Sequence, residues 1–77
     1  QLLYTMKKIK KIKIKLNGKT KLIADNLKIE TLISSLKIPI KKVAIELNQE
    51  ILDKKKLKKI KLKNNDRIEI VHFIGGG

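Results

Sequence analysis

The sequence predicts an α+β domain in which one main helix packs on one face of a mixed four- to five-stranded sheet. Three observations lead to this prediction: stretches that alternate apolar and polar residues, one stretch with apolar residues at helical spacing, and a strongly apolar stretch near the end. A chain of 77 residues has room for one thin core. A single helix on a single sheet buries the apolar side of both.

A hairpin is the first predicted element. Within residues 10–16, lysine and an aliphatic residue alternate from Lys11 to Leu16, which is the period-two pattern of a strand with one buried face. Asn17-Gly18 follows, and this dipeptide favours the tight turn in which both central residues have positive φ. Lys19–Ala24 then returns as the second strand.

One amphipathic helix of two to three turns follows the hairpin. Apolar residues recur there at i, i+3, i+4 and i+7, the spacing of a stripe along one side of a helix. The residues of this stripe are Ile29, Leu32, Ile33 and Leu36. Asp25 and Asn26 are candidate side-chain caps. Pro39 ends any continuation of the helix because it disfavours the α region for the residue before it.

The second half of the chain predicts more strands. Lys42–Leu47 alternates again, and Asn48-Gln49 forms a tight turn into a brief strand at 50–52. The lysine-rich stretch Asp53–Lys59 is interpreted as a solvated loop that carries one apolar anchor, Leu57.

The chain then predicts its final strands. Ile60 and Leu62 indicate another short strand, and 64–66 a turn. Arg67–Ile74 is the last strand, and its apolar residues on both faces favour a place in the middle of the sheet.

Composition limits the function classes. The net charge is +13, yet the chain has a single arginine, Arg67, and two aromatic residues, Tyr4 and Phe73. Nucleic-acid readers usually add arginine forks and aromatic stacking platforms, so a nucleic acid is not expected as partner. A membrane is not expected either, because no apolar run comes near the ~20 residues that cross a bilayer. An excess of Lys, Ile and Asn also results from an AT-rich genome. The chain has no cysteine, its acids show no paired spacing, and the lone His72 is given no chemical role and no metal.

The run Gly75-Gly76-Gly77 is the most unusual feature. Glycine has no Cβ, so such a tail is thin and flexible and can enter a channel that rejects side chains. The final residue offers an unhindered carboxylate. Taken alone, a glycine-rich end is equally compatible with a frayed terminus or a cloning remnant.

The sequence resembles the ThiS family, the sulfur-carrier proteins of thiamine biosynthesis. The resemblance runs over nearly the whole chain from Met6 onward and depends on the order and spacing of four segments, 17–19, 29–33, 43–51 and 65–77. Where the family often has a glycine in the last turn, this chain has Asn65. Asp53-Lys54 and Leu57 stand where the family often has a proline-arginine pair and a tryptophan.

The resemblance implies a ubiquitin-like β-grasp fold over residues 6–77, with 75–77 as a flexible tail and 1–5 as an N-terminal extension or expression remnant. It also implies a carrier that is not itself an enzyme and binds no cofactor. An ATP-dependent adenylyltransferase of the ThiF type would activate the Gly77 carboxylate, and a persulfide donor would convert it to a thiocarboxylate. Thiazole synthase of the ThiG type would then receive the sulfur.

Phe73 and Ile74 precede the tail and are candidates for the partner-docking surface, with core packing as the alternative for both. Three other functions are weighed: a molybdopterin-synthase-type sulfur carrier, a ubiquitin-like protein modifier, and a basic β-grasp module that binds RNA. The expected location is the cytoplasm or the plastid stroma, because residues 1–5 are too short for a signal or transit peptide.

Overall fold

The computed structural model describes residues 10–73, which form five strands and one α-helix around a single core. The strands are β1 (Lys11–Leu16), β2 (Lys19–Ala24), β3 (Val43–Leu47), β4 (Glu50–Ile51) and β5 (Arg67–His72), and the helix is α1 (Ile29–Ser35). Two 3-10 helices, Ile40–Lys42 and Lys54–Lys59, join these elements. The predicted α+β class, with one helix on a mixed sheet, is therefore confirmed.

The sheet order is β2-β1-β5-β3-β4, so the last strand lies in the centre. β5 runs parallel to β1 and antiparallel to β3, and its pairing with β1 covers only two residue pairs. The predicted central position of the last strand is confirmed. Only one face of β5 is buried, through Ile68 and Ile70, because α1 covers one face of the sheet and the outward side chains of β5 are exposed.

The core lies between the sheet and α1. Each contributing element places apolar residues on one side, as its period in the sequence predicts. The least exposed side chains are Ile14, Ile29, Leu32, Ile33, Val43, Ile45, Leu57, Leu62 and Ile68. Leu57 is therefore the apolar anchor that the sequence predicted.

Both predicted hairpin turns are confirmed in their backbone geometry. Asn17 and Gly18 have φ values of 49° and 83°, and Asn48 and Gln49 have 52° and 74°. Positive φ at both central positions matches the twist of the flanking strands. Asn65 stands in the last turn, where the similar family often has a glycine. Its φ is 74°, and asparagine tolerates this conformation.

Three local predictions need correction. The helix has Lys28 at its N-cap without a side-chain hydrogen bond, because Asp25 and Asn26 form a turn ahead of it. The stretch predicted as a loop after Asp53 is a 3-10 helix, which starts where Asp53 Oδ1 accepts a 2.9 Å hydrogen bond from the Lys55 N–H. The strand predicted at Ile60 and Leu62 is reduced to one bridge between Lys61 and Lys28.

The helix ends earlier than Pro39 requires. Its last residue is Ser35, and Lys37 has a φ of 57°, a left-handed conformation that reverses the chain. Pro39 instead precedes the short 3-10 helix Ile40–Lys42. Within residues 10–73, no helix has the length and apolar character that a membrane span requires.

Candidate functional site

The candidate site is the end of β5 together with the residues that follow it. β5 ends at His72, and the Phe73 N–H donates a 2.9 Å hydrogen bond to the Lys42 carbonyl, which extends the pairing with the β3 side by one residue. The predicted site residues Ile74, Gly75, Gly76 and Gly77 lie outside the described residues. The structure therefore describes the base of the tail.

Phe73 lies on the surface with 58% of its side chain exposed. The alternative of core packing is therefore wrong for Phe73. The Lys54 ammonium lies over its ring, with Nζ 5.2 Å from the ring centroid. A cation in this position is attracted by the negative face of the ring, so the contact favours one orientation of an otherwise solvated side chain.

Val71 extends the apolar surface at the end of β5. It is 50% exposed and pairs with Ala44 of β3. Because successive side chains of a strand point to opposite faces, Val71 and Phe73 share the face opposite α1. Sequence reasoning did not single out Val71 as a site residue, because an apolar residue in a strand does not by itself indicate an exposed surface.

Two asparagine side chains hold β5 from both sides. Asn17 Oδ1 accepts a 2.7 Å hydrogen bond from the Ile70 N–H, and its Nδ2 donates a longer one, 3.4 Å, to the Ile70 carbonyl. Asn48 Oδ1 accepts a 2.9 Å hydrogen bond from the Arg67 N–H. Each asparagine therefore sets its own turn and also satisfies a backbone amide of the strand that leads to the tail.

Asp66 completes the polar contacts at the start of β5. One carboxylate oxygen accepts from the Asn48 Nδ2 at 3.1 Å, and the other accepts from the Lys63 N–H at 2.7 Å. The turn that precedes β5 is thus tied to the β3–β4 turn. These contacts define where β5 begins and therefore where Phe73 lies.

Within residues 10–73 the structure holds no buried polar or charged side chain and no group of three or more potential metal ligands. His72 is exposed and pairs with Val43 through the backbone, as a surface residue would. The described residues thus offer a surface that includes Phe73, and the candidate reacting group is the carboxylate of Gly77.

Three comparisons bear on the family. A model of the ThiS family matches residues 14–77. The sulfur carrier protein ThiS of Bacillus subtilis is 42% identical over 65 residues, which cover 83% of this chain and 98% of that protein. A crystal structure of the thiamine biosynthesis protein ThiS from Geobacter metallireducens superposes with a TM-score of 0.76 at 32% identity, covering 86% of this chain and 100% of that chain.

A fourth similarity extends to a larger protein. A thiazole synthase of Paramagnetospirillum magneticum is 35% identical over 66 residues, which are 86% of this chain but only 20% of the synthase. The chain thus spans about a fifth of that relative. The fold, the match to the family model and the carrier relatives agree with one another and confirm the predicted resemblance. The chain belongs to the ThiS family.

Proposed function

We propose that this chain carries sulfur for thiazole formation in thiamine biosynthesis, as a thiocarboxylate on Gly77. The family match supports the carrier role, and it extends through residue 77, so it includes the three glycines. The Bacillus subtilis relative, matched over almost its entire length, is a sulfur carrier. The proposal requires that Gly77 be the last residue of the mature protein.

The carboxylate needs activation before it can accept sulfur, because it is an anion without a good leaving group. The carboxylate oxygen attacks the α-phosphorus of ATP in a ThiF-type adenylyltransferase, which gives an acyl-adenylate and releases pyrophosphate. A persulfide sulfur then attacks the carbonyl carbon, and AMP leaves. A protein thiol then attacks the donor's cysteine sulfur in the resulting acyl disulfide and breaks the S–S bond, which releases the thiocarboxylate and leaves a disulfide between that thiol and the donor cysteine.

The Paramagnetospirillum magneticum relative supports thiazole synthase as the recipient, because there a segment similar to this chain and the synthase share one polypeptide. In this mechanism the chain is a co-substrate. Gly77 supplies the reacting group, and Gly75 and Gly76 have no side chains that would block its entry into a narrow active site. The enzymes that act on the chain supply the nucleotide and the sulfur.

Intact-mass spectrometry tests the central step. The chain ending at Gly77 is incubated with ATP, a ThiF-type adenylyltransferase and a persulfide donor. We expect the mass to rise by the difference between a sulfur and an oxygen atom. A chain that lacks Gly76 and Gly77 should fold normally and show no gain. An unchanged mass of the full chain, with an enzyme that modifies its own known carrier, would contradict the proposal.

Phe73 and Ile74 are proposed to dock the adenylyltransferase next to the tail. Phe73 is exposed although apolar, and aromatic side chains are often the residues that dominate an interface. We expect Phe73→Ala to raise the KM of the adenylation reaction about tenfold with kcat nearly unchanged, since the reacting carboxylate is untouched. Thr31→Ala, at an exposed position of α1 on the other side of the sheet, is the control. Equal KM values for the two variants would argue against docking at Phe73.

A further inference from the structure

The face of the sheet opposite α1 is called here the open face. Its outward lysines and its outward carboxylates lie on different strands. On the β1–β2 half, the lysine row (Lys11, Lys13 and Lys15) occupies every outward position of β1. The residues paired with this row on β2 are uncharged. The outward residues of β2 are Thr20, Leu22 and Ala24. This half therefore carries three ammonium groups and no carboxylate at its outward positions.

The other half of the open face carries the carboxylates, and Arg67, which pairs with Lys15, lies at its border with the lysine row. Glu46 of β3 lies directly across from Glu69 of β5 and forms the carboxylate pair. Like charges directly opposite each other on a sheet are destabilising. A shallow depression of about 290 Å³ lies beside the pair, and its lining includes both carboxylates, Arg67 and Val71. An external cation placed at this pair would relieve its repulsion.

A lysine-rich composition does not explain this arrangement. Codon bias raises the number of lysines, but it does not determine which strands of a sheet face carry lysines and which carry acids. Glu69 lies on the strand next to β1, about 8 Å from Lys15 and about 14 Å from Lys13, because the parallel register places it two and four residues further along. The distance from Lys13, the centre of the lysine row, exceeds the Debye length of about 8 Å at physiological salt, so most of the row and the carboxylate pair act on a binding partner separately.

The open face also includes the base of the tail. Val71 and Phe73 are its exposed apolar residues on β5 and directly after it. The distance along the strand from Arg67, which pairs with Lys15, to Phe73 is about 20 Å. A protein that buries about 800 Å² of this chain, the ordinary extent of an interface, can cover both the tail base and the near end of the lysine row.

We propose that the open face docks a protein surface of inverse polarity, acidic opposite the lysine row and basic opposite the carboxylate pair. The partner is the adenylyltransferase that takes the tail, so this inference rests on the proposed function. A nucleic acid fits less well, because its phosphates are negative along their whole length and would meet the carboxylate pair. Electrostatic pairing of this kind acts mainly on the association rate and on partner choice.

Charge-reversal variants with matched controls test the docking polarity. Lys13→Glu reverses the lysine row, and Lys58→Glu makes the same change in net charge on the exposed second 3-10 helix. Glu69→Lys reverses the carboxylate pair, and Glu30→Lys makes the same change on exposed α1. The association rate constant with the adenylyltransferase is measured by stopped flow at several salt concentrations, and circular dichroism verifies folding. Lys13→Gln serves as the variant least disruptive to β1.

We expect Lys13→Glu to slow association about tenfold at low salt and Lys58→Glu to have little effect. Glu69→Lys should also slow association, although it raises the net positive charge and removes the repulsion with Glu46. Equal rates for Lys13→Glu and Lys58→Glu, or faster association of Glu69→Lys, would overturn the docking model. So would unchanged enzyme association combined with weaker binding of Lys13→Glu to single-stranded RNA. These results are distinct from failure of the carrier function, in which wild-type chain associates with the enzyme but gains no mass.

Discussion

The two hairpins that flank β5 have the same turn geometry, but their turn asparagines bind different positions of β5. Both turns begin with an asparagine of positive φ, and both asparagines bind the backbone of β5 through their side chains. Asn17 binds Ile70, three residues before Phe73, in a partly buried position. Asn48 binds Arg67 at the exposed beginning of the strand.

The two sides of β5 differ in the number of residue pairs that the backbone ladder joins. β3 and β5 are joined over five residue pairs, whereas β1 and β5 are joined over only two. On the β1 side, the Asn17 amide continues the pairing where the backbone ladder stops. The comparison indicates that one hairpin holds β5 by a ladder of five pairs, whereas the other has a ladder of two pairs that the Asn17 side chain extends to Ile70. The position of the tail base therefore depends on the Asn17 side chain more than on that of Asn48.

The largest expected effect is common to both hairpins, because their inward residues belong to one core. Ile14 of β1 and Ile45 of β3 are each 1% exposed. We expect Ile14→Ala and Ile45→Ala each to lower the free energy of unfolding by about 2–5 kcal/mol, through lost transfer energy and a residual cavity. Urea denaturation measures both. Leu22→Ala, at an exposed site of β2, should change stability by less than about 0.5 kcal/mol.

A large loss for one isoleucine and a negligible loss for the other would contradict a shared core. It would mean that the two halves of the sheet have separate stabilities. The comparison of hairpins would then apply to the whole fold and not only to their contacts with β5.

The next effect separates the two asparagines. Asn17→Gly and Asn48→Gly keep a residue that readily adopts positive φ, so each removes the side-chain contact with β5 and leaves the turn conformation intact. Asn48→Gly also removes the exposed contact with Asp66. We expect Asn17→Gly to cost about 1–2 kcal/mol, since the partly buried Ile70 N–H loses its acceptor, and Asn48→Gly to cost less, since water can replace it at the exposed site. Denaturation gives the stabilities, and amide hydrogen exchange at Ile70 and Arg67 gives the local effect.

Faster exchange at Ile70 in the Asn17 variant but not in the Asn48 variant would support the unequal roles. An equal loss of stability in both variants, or no change in exchange at Ile70, would show that the ladder alone holds β5.

Much of this fold could be predicted because its signals are local. The alternation of residues 10–16, the Asn17-Gly18 turn and the apolar stripe of α1 each lie within a few neighbouring residues. The run of lysines in Lys54–Lys59 predicts a loop and not a 3-10 helix, because it contains a single buried residue, Leu57. The strand at 60–62 was overpredicted because two apolar residues with period two do not fix a backbone partner.

The contacts around the candidate site could not be predicted, because they join residues far apart in the chain. Asn17 and Ile70 are 53 positions apart, and the carboxylate pair forms only when β5 lies beside β3. The sequence identified Phe73 but left its burial open, and it did not single out Val71. The tail residues 74–77 lie outside the described residues, so their role stays a prediction.

The smallest effect concerns the second residue of each turn. Gly18 and Gln49 occupy equivalent positions with φ values of 83° and 74°, but a side chain at positive φ is strained. A Cβ on Gly18 would meet no atom within 4 Å, so Gly18→Ala tests the backbone alone and should cost about 1 kcal/mol. Gln49→Gly should instead stabilise the chain by about 0.5 kcal/mol, because the relief of strain outweighs the greater chain entropy of glycine in the unfolded state. Opposite shifts of the urea midpoint would confirm that the turns are equivalent in backbone geometry, and a loss of stability in Gln49→Gly would show that the glutamine side chain makes a stabilising contribution of its own.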